Sequence, residues 1–523
     1  MEGTTAAAEQ FAALAGDPST GFNAAVEALT RHPADRAALV WHHGRQRAEF
    51  KVGDLDAASG ALAAAFAERG VTVGSRVAVL LPRRPELLHT LFAVWRCGAV
   101  VVPLFTAFGP AAIATRLDAA SADLVVTDAR TANRLPADVG VPVFDLDTRP
   151  ETQATETAPR ETEPLPLLDA DAPFIVLFTS GTAGPPKAVE VPLRALAAFR
   201  AYTVWSVDLR PDDRLWCLAD PGWAYGLFCG VLGPMLLGHT IRFVQDPFDP
   251  VAAADLCEAE GITNLMAAPT AFRAMLPHLR PGSLRVASSA GEHLPARVAV
   301  EFERRTGAAL FDHYGQSELG MVAGNHHGLD HPTAPGSFGT ALPGFRVAVL
   351  GTDDEPIVGE LGRLAVHQHD SALGYFAGYL GPDGSATAPT TVGDGWYVTG
   401  DLATEDAEGR LWFEARADDV VVTSGYRVGP TEVEEHLERH DGVAECVVVG
   451  RPDPARGHVL VAFVVPTRLD DLDRLVPELR AWVRRGLAAH LVPREVRVME
   501  ELPRTASGKP QRYVLRRALE TSR

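Results

Sequence analysis

Lys187 and Lys509 each close a glycine-rich stretch, TSGTAGPPK (Thr179 to Lys187) and PRTASGK (Pro503 to Lys509). With Lys51 they are the only lysines in 523 residues; arginine fills every other basic position. Lysine presents a small, flexible point charge where arginine presents a wide planar fork. Both stretches therefore read as built to meet an oxyanion, a phosphate or a carboxylate. In the first, Thr179, Ser180 and Thr182 bring hydroxyls. Gly181 and Gly184 let backbone N–H groups approach a phosphate closely, and Lys187 can sit against the outer phosphates. The stretch lacks GxxxxGK[ST], so it is not a Walker loop.

Four further motifs follow in order along the chain: SAGEHL (Ser289 to Leu294), DHYGQSE (Asp312 to Glu318), GWYVTGDL (Gly395 to Leu402) and GRLWFEARADDVVVTSGYRVGPTEVE (Gly409 to Glu434). Together with the two lysine loops they resemble the adenylate-forming superfamily, specifically its acyl-CoA synthetase branch. The resemblance runs from about Phe22 to Leu515. It implies that Gly291, Glu292, His293, Asp312, Gly315 and Gln316 bind the nucleotide, with Tyr314 stacked near adenine. Ser317 bonds the α-phosphate and Glu318 holds magnesium. Asp401 and Arg416 take the ribose, and Asp418 is a hinge. Gly425, Tyr426 and Arg427 turn toward the thiol acceptor, and Lys509 bridges the acid's carboxylate and the α-phosphate. The chemistry so implied has two steps: an acyl-adenylate plus pyrophosphate, then a thioester plus AMP. ATP, magnesium and coenzyme A are the implied cofactors and co-substrates.

The segment ADPGWAYG (Ala219 to Gly226) resembles the aromatic element beside the acyl and pantetheine channels, which makes Trp223, Tyr225 and Gly226 acyl-pocket candidates; Leu319, which replaces the family's frequent threonine after the magnesium glutamate, is another. Acetyl-CoA synthetases place a Trp after the tyrosine of YGxTE; here that position is Gly315. The missing indole is expected to leave room for several methylenes, each worth about 0.8 kcal/mol when buried. The expected substrate is thus a medium-chain or comparably bulky carboxylate. Expected partners are that acid, coenzyme A or alternatively an acyl-carrier protein, and a second copy of the chain in a homodimer. A non-catalytic nucleotide-binding regulator is the reading from a different class; both lysines, Glu318 and Asp401 count against it.

The elements that must position these groups read as alternating strands and helices. Arg76 to Leu81, Ala99 to Leu104, Leu124 to Thr127 and Phe174 to Phe178 are strands. Asp54 to Gly70, capped by Asp54, and Glu86 to Cys97 are helices. Such alternation predicts a parallel sheet covered on both faces. Thr148 to Pro173 reads as a solvated connection, and Phe345 to Tyr397 as turn-rich and barrel-like. Beyond residue 418, a helix from Pro430, strands at Val443 to Val449, Val459 to Val465 and near Val496, and helices over Leu472 to Trp482 and from Arg512 form a compact unit. The expected architecture is α/β. Residues 1–417 hold two doubly wound subdomains plus a small barrel-like one, and residues 418–523 form a small mobile α+β domain.

A net charge of −19 argues against sequence-independent nucleic-acid binding, which relies on a basic surface. Polyanions must instead be captured locally. The five cysteines show no CxxC pair and read as reduced, in a cytoplasmic protein. Neither a signal peptide nor a membrane span is expected. His326, His327 and His331 fit no standard zinc spacing. His42 and His43 read as surface residues.

Overall fold

The computed structural model describes residues 2–148, 164–179, 186–381, 386–423, 426–453, 456–468, 472–504 and 509–521. The chain divides into two compact units. The first comprises Met1–Thr179, Pro186–Val347 and His367–Thr390; the second contains Ala348–Val366 and Thr391–Arg523.

In the first unit, hydrophobic runs bounded by glycine and proline become the centre of an eight-stranded sheet. Pro173–Phe178, Val100–Pro103, Arg76–Val79, Leu124–Thr127 and Val143–Asp145 lie side by side and parallel. Val100–Pro103 and Leu124–Thr127 are buried at every position, as strands covered on both faces must be. Ala188–Pro192, Tyr379–Leu380 and Ala386–Thr387 extend the sheet antiparallel, so it is mixed rather than wholly parallel. Helix Pro85–Arg96 begins on a proline, which gives up an N–H that no helix could use, and lays Leu88, Leu91, Phe92 and Trp95 inward. The Trp95 indole donates to the Phe174 carbonyl at 3.0 Å, tying helix to sheet.

A six-stranded sheet follows in the order Thr340–Ala341, Gly320–Gly324, Ala309–Gln316, Val286–Ala290, Asn264–Ala267, Leu215–Cys217. Its last four strands are parallel. One face packs on helices through Phe272 and Phe302, whose rings meet edge to face at 5.3 Å. A third sheet of Ile241–Val244, Ala37–His43 and Gln46–Lys51 was not expected from sequence.

The expected element boundaries shift at several points. The helix begins at Val52 and ends at Ala67 rather than running from Asp54 to Gly70. Asp54 lies inside it, and its carboxylate accepts the Lys51 N–H at 2.8 Å. Of the Thr148 to Pro173 connection, residues 149–163 lie outside the described residues; Leu168 pairs with Phe22 through two backbone hydrogen bonds.

In the second unit, Val347–Leu350, Gly362–His367, Trp396–Glu405, Thr391–Val392 and Leu411–Arg416 form a five-stranded sheet that begins in the turn-rich region and runs past its expected end at Tyr397. The C-terminal part is built on the hairpin Val443–Asp453 and Gly457–Pro466. Alternate side chains point to opposite faces of a strand. Cys446, Val448, Leu460, Ala462 and Val464 accordingly pack against helices Pro430–Glu438 and Leu472–Gly486. Val447, Val449, Val461 and Phe463 pack against helix Arg512–Thr521. Among the described residues, no helix is long and apolar enough to cross a membrane.

Candidate functional site

Lys187 stands at the neck of a hairpin. Its carbonyl accepts the Thr179 N–H at 2.9 Å, and its own N–H donates to Thr179 Oγ1 at 3.3 Å. The neck follows from register: Phe178 opposes Ala188 across the two buried strands. Ser180, Gly181, Thr182 and Gly184, expected to meet a phosphate, lie outside the described residues. The Lys187 ammonium lies 4.5 Å from the centroid of the Tyr379 ring. The Tyr379 hydroxyl donates to Glu318 Oε1 at 2.9 Å. Glu318 itself is nearly buried, in the turn after strand Ala309–Gln316, with Ser317 half-buried beside it. Lys187 and Glu318, far apart in sequence, thus meet on one tyrosine that sequence reasoning missed. Its only signal was a glycine–aromatic run, GYFAGY (Gly374 to Tyr379), inside a region read simply as turns.

The nucleotide candidates cluster at the carboxyl ends of two parallel strands, where open α/β sheets place ligands. Ser289 opposes Asp312, Gly291 follows immediately in the left-handed region at φ 94°, and Glu292 and His293 come next. Asp312 is buried. Its Oδ2 accepts the Leu294 N–H at 3.2 Å, while Oδ1 has no hydrogen-bond partner. Burial pushes its carboxyl up to about 7, opposed by the nearby His293. Glu292 Oε2 accepts from Thr270 at 2.6 Å, and Oε1 is likewise buried without a partner. The Tyr314 ring lies 4.9 Å from that of Phe338, and its hydroxyl accepts from Gln316 at 3.1 Å.

Gly315 requires a correction. A β-carbon there would fall 2.3 Å from the Gly320 carbonyl oxygen and 2.7 Å from Met321 Sδ. The returning strand stands where a side chain at Gly315 would begin, so an indole could not be placed there without moving Gly320 or Met321. The other acyl-pocket candidates have aromatic neighbours. Trp223 packs at 5.4 Å on Phe105 and 5.5 Å on Phe108. Gly226 is forced by a close approach, since a β-carbon would lie 2.2 Å from the Asp220 carbonyl. Leu319 is buried. The Tyr225 hydroxyl lies 3.4 Å from that of Tyr202.

Tyr202 begins a buried polar chain. His313 Nε2 donates to the Asn325 carbonyl at 2.8 Å, because a carbonyl can only accept; His313 Nδ1 therefore accepts from the Tyr202 hydroxyl at 2.7 Å. His326 Nδ1 meets Ser206 Oγ at 2.8 Å, and the His326 backbone N–H donates to His331 Nε2 at 2.7 Å. His327 stacks on Phe311 at 4.3 Å. Burial holds His313 and His326 down to about 3. Among the described residues, no group of three or more metal-ligating side chains converges. His42 and His43 are half-buried rather than on the surface: His42 Nε2 lies 3.7 Å from Glu260 Oε1, and His43 Nδ1 lies 3.1 Å from Asp246 Oδ1. All five cysteines are free.

In the second unit, Asp401 and Arg416 oppose each other on paired strands. Arg416 donates to buried Asp401 at 2.9 Å, and its Nε lies 3.5 Å from Asp418. Next to Asp418, buried Asp419 receives Arg512 Nε at 3.1 Å and also Arg516. Arg512 donates to Glu434 Oε2 at 2.9 Å, and Glu434 Oε1 accepts the Val448 N–H at 2.6 Å. This network fastens the last helix to residue 419. Lys509 stands just before that helix and makes contacts of its own. Gly425 lies outside the described residues, as do the side chains of Tyr426 and Arg427; the backbone of Tyr426–Val428 is a short strand.

The family model for AMP-binding enzymes matches residues 26–376, and that for the AMP-binding enzyme C-terminal domain matches residues 432–509. The chain is 32% identical over 530 residues to the acetyl-coenzyme A synthetase of Bacillus subtilis, covering 94% of this chain and 90% of that protein. It is 32% identical over 472 residues to the mitochondrial acyl-coenzyme A synthetase ACSM3 of Rattus norvegicus, covering 85% and 80%. Among solved structures, an acyl-CoA synthetase of Brucella canis matches 98% of this chain and 97% of its own, at 40% identity and a TM-score of 0.77. ATP-bound MatB from Rhodopseudomonas palustris matches 95% and 99%, at 27% identity and a TM-score of 0.84.

Proposed function

Because the chain belongs to the AMP-binding enzyme family and is an ATP-dependent carboxylate–CoA ligase of the acyl-CoA synthetase kind, we propose that it activates an apolar acid of medium chain length or similar bulk. In the first step a carboxylate oxygen attacks the α-phosphorus of ATP, and the bond to the β-phosphate breaks to release pyrophosphate. In the second, the coenzyme A sulfur attacks the acyl carbonyl, AMP leaves and the thiol proton passes to solvent.

The observation that carries the residue assignments is the meeting of Lys187 and Glu318 on Tyr379. Two anions must approach before they react, and Lys187 and Lys509 offset that repulsion and the charge that develops at phosphorus. Ser317 donates to the α-phosphate. Asp312 and Glu292, each with a buried oxygen lacking a partner, receive the adenine amino group or an ordered water; Tyr314 offers its ring to the base. Asp401 and Arg416 hold the ribose hydroxyls. Magnesium favours few carboxylates and several waters or phosphate oxygens. Glu318, a single nearly buried carboxylate, fits that demand, and the ion when bound would neutralise the phosphates.

The tail of the acid lies against Trp223, Tyr225 and Leu319. The aromatic set of Trp223, Phe105 and Phe108 supports an apolar tail. Asp418 serves as hinge between residues 1–417 and 418–523, so that Lys509 serves the first step and the turn at Gly425, Tyr426 and Arg427 the second. The free cysteines support a reducing, cytoplasmic setting.

The test is pyrophosphate release across acids from acetate to dodecanoate plus aryl acids, with and without coenzyme A. Turnover with coenzyme A on medium-chain acids is expected. Turnover on acetate alone would overturn the size assignment. Release near one equivalent, unaffected by coenzyme A, would make a carrier protein the acceptor.

A further inference from the structure

The geometry points to Tyr379 as a positioning residue that keeps the phosphate-binding cation and the metal-binding carboxylate apart and aimed. This rests on the reading that Lys187 and Glu318 serve the phosphate end of ATP. Strand Tyr379–Leu380 pairs antiparallel with Ala188–Pro192, and Tyr379 stands opposite Val189. The residue two positions before Val189 projects to the same face, so a residue opposite Val189 is the diagonal neighbour of position 187. Register alone therefore brings the Tyr379 ring to Lys187, where the ammonium sits 4.5 Å from the ring centroid. That distance suits a cation on an aromatic face.

The other end of the same side chain reaches a different sheet. Its hydroxyl donates to Glu318 Oε1 at 2.9 Å, in the turn that joins Ala309–Gln316 to Gly320–Gly324. Gly378 makes this placement feasible: it holds φ 133°, and a β-carbon would fall 1.8 Å from the Thr387 carbonyl oxygen. Only glycine lets the chain pass so near its hairpin partner immediately before Tyr379.

Among the described residues, Lys187 and Glu318 form no ion pair with each other. Opposite charges this near a common side chain would pair directly if nothing stood between them, and MgATP would then have to break the pair. The ring takes the ammonium on its face and the hydroxyl takes one carboxylate oxygen. The second carboxylate oxygen and the N–H donors of the ammonium stay available for metal and phosphate.

Tyr379→Phe keeps the ring and removes the hydroxyl; Tyr379→Leu removes both. The readouts are calorimetric titration with ATP in EDTA and with ATP plus magnesium, and pyrophosphate release resolved into KM and kcat. Tyr379→Phe is expected to bind metal-free ATP within about twofold of the parent but to need about tenfold more magnesium, the worth of one hydrogen bond to a charged group. Tyr379→Leu is expected to weaken ATP in both conditions, and added salt is expected to narrow the deficit by screening the new Lys187–Glu318 pair. Parental magnesium dependence in Tyr379→Phe would overturn the proposal. So would a loss confined to kcat with ATP and magnesium binding intact. Because Phe replaces Tyr without loss of volume, Tyr379→Phe remains decisive even where Tyr379→Leu folds poorly. Failure of the parent protein to bind ATP would instead sink the reading of the site itself.

Discussion

Acidification from pH 7 to pH 5 should destabilise the first unit through three buried histidines, and the size of the effect can be worked out. Burial holds His313 and His326 down to about 3 and His327 to about 4, against an unfolded value of about 6.5. The Tyr202 hydroxyl, which donates to His313 Nδ1, adds to this by favouring the neutral ring, while the Asn325 carbonyl opposes it. The folded pKa is depressed, so the unfolded chain takes up protons first. Stability is complete above about pH 6.5 and falls as pH drops toward 3. At pH 5 each of the three histidines then contributes a loss of about 2 kcal/mol, or about 6 kcal/mol together. Asp312 acts in the opposite direction. Its carboxyl is raised to about 7, so the folded state binds its proton first and regains about 2 kcal/mol over the same interval. The expected net loss is about 4 kcal/mol. Urea unfolding at pH 7 and pH 5, followed by tryptophan fluorescence, measures it. His326→Asn should cut the loss to about 2 kcal/mol, and Asp312→Asn should raise it to about 6 kcal/mol. An identical pH 7-to-5 difference in the parent and both variants would refute the reasoning.

Lys509→Ala should lose pyrophosphate release while still forming thioester from supplied acyl-adenylate; equal loss of both half-reactions would defeat that assignment. Asp401→Ala removes the buried partner of Arg416, itself about one-third exposed. Thermal melting should show a loss of about 1 kcal/mol or less, while the KM for ATP rises at least severalfold; an unchanged KM would remove Asp401 from the ribose site. Gly226→Ala drives a methyl against the Asp220 carbonyl. It should lower stability by about 1–3 kcal/mol and raise the KM for the acid more than that for ATP. Asp419→Ala leaves Arg512 and Arg516 without their shared carboxylate; because Glu434 still holds Arg512, the expected loss is about 1–3 kcal/mol, read by melting of the C-terminal part.

Strands such as Leu124–Thr127 and helices such as Arg512–Thr521 were legible because their signals are local: a bounded apolar run, a 3.6-residue period. The chemistry was legible through a resemblance carried by short ordered motifs, such as TSGTAGPPK and DHYGQSE, each complete within ten residues. What escaped depends on which strands become neighbours. Tyr379 acquires its place from pairing with Val189, nearly two hundred residues earlier in the chain. Phe105 and Phe108 gain theirs by packing on Trp223, and Tyr202 by reaching His313. Gly315 shows the opposite error. A small residue in a motif suggested a side chain simply removed, whereas the strand that turns back through Gly320 and Met321 stands where that side chain would begin. A sequence shows that a side chain is missing; only the pairing shows what replaced it.

The arginine network around Asp419 has a mechanical meaning. Arg512 and Arg516 bolt the terminal helix to the residue beside Asp418, and Arg512 also grips Glu434. Lys509 lies three residues ahead of the bolt. A twist of the backbone at Asp418 would therefore reach Lys509 through a stiff lever rather than through a slack tether. The angle turned at one peptide unit would set the travel of the ammonium, and loosening the bolt would blur that travel without altering the lysine.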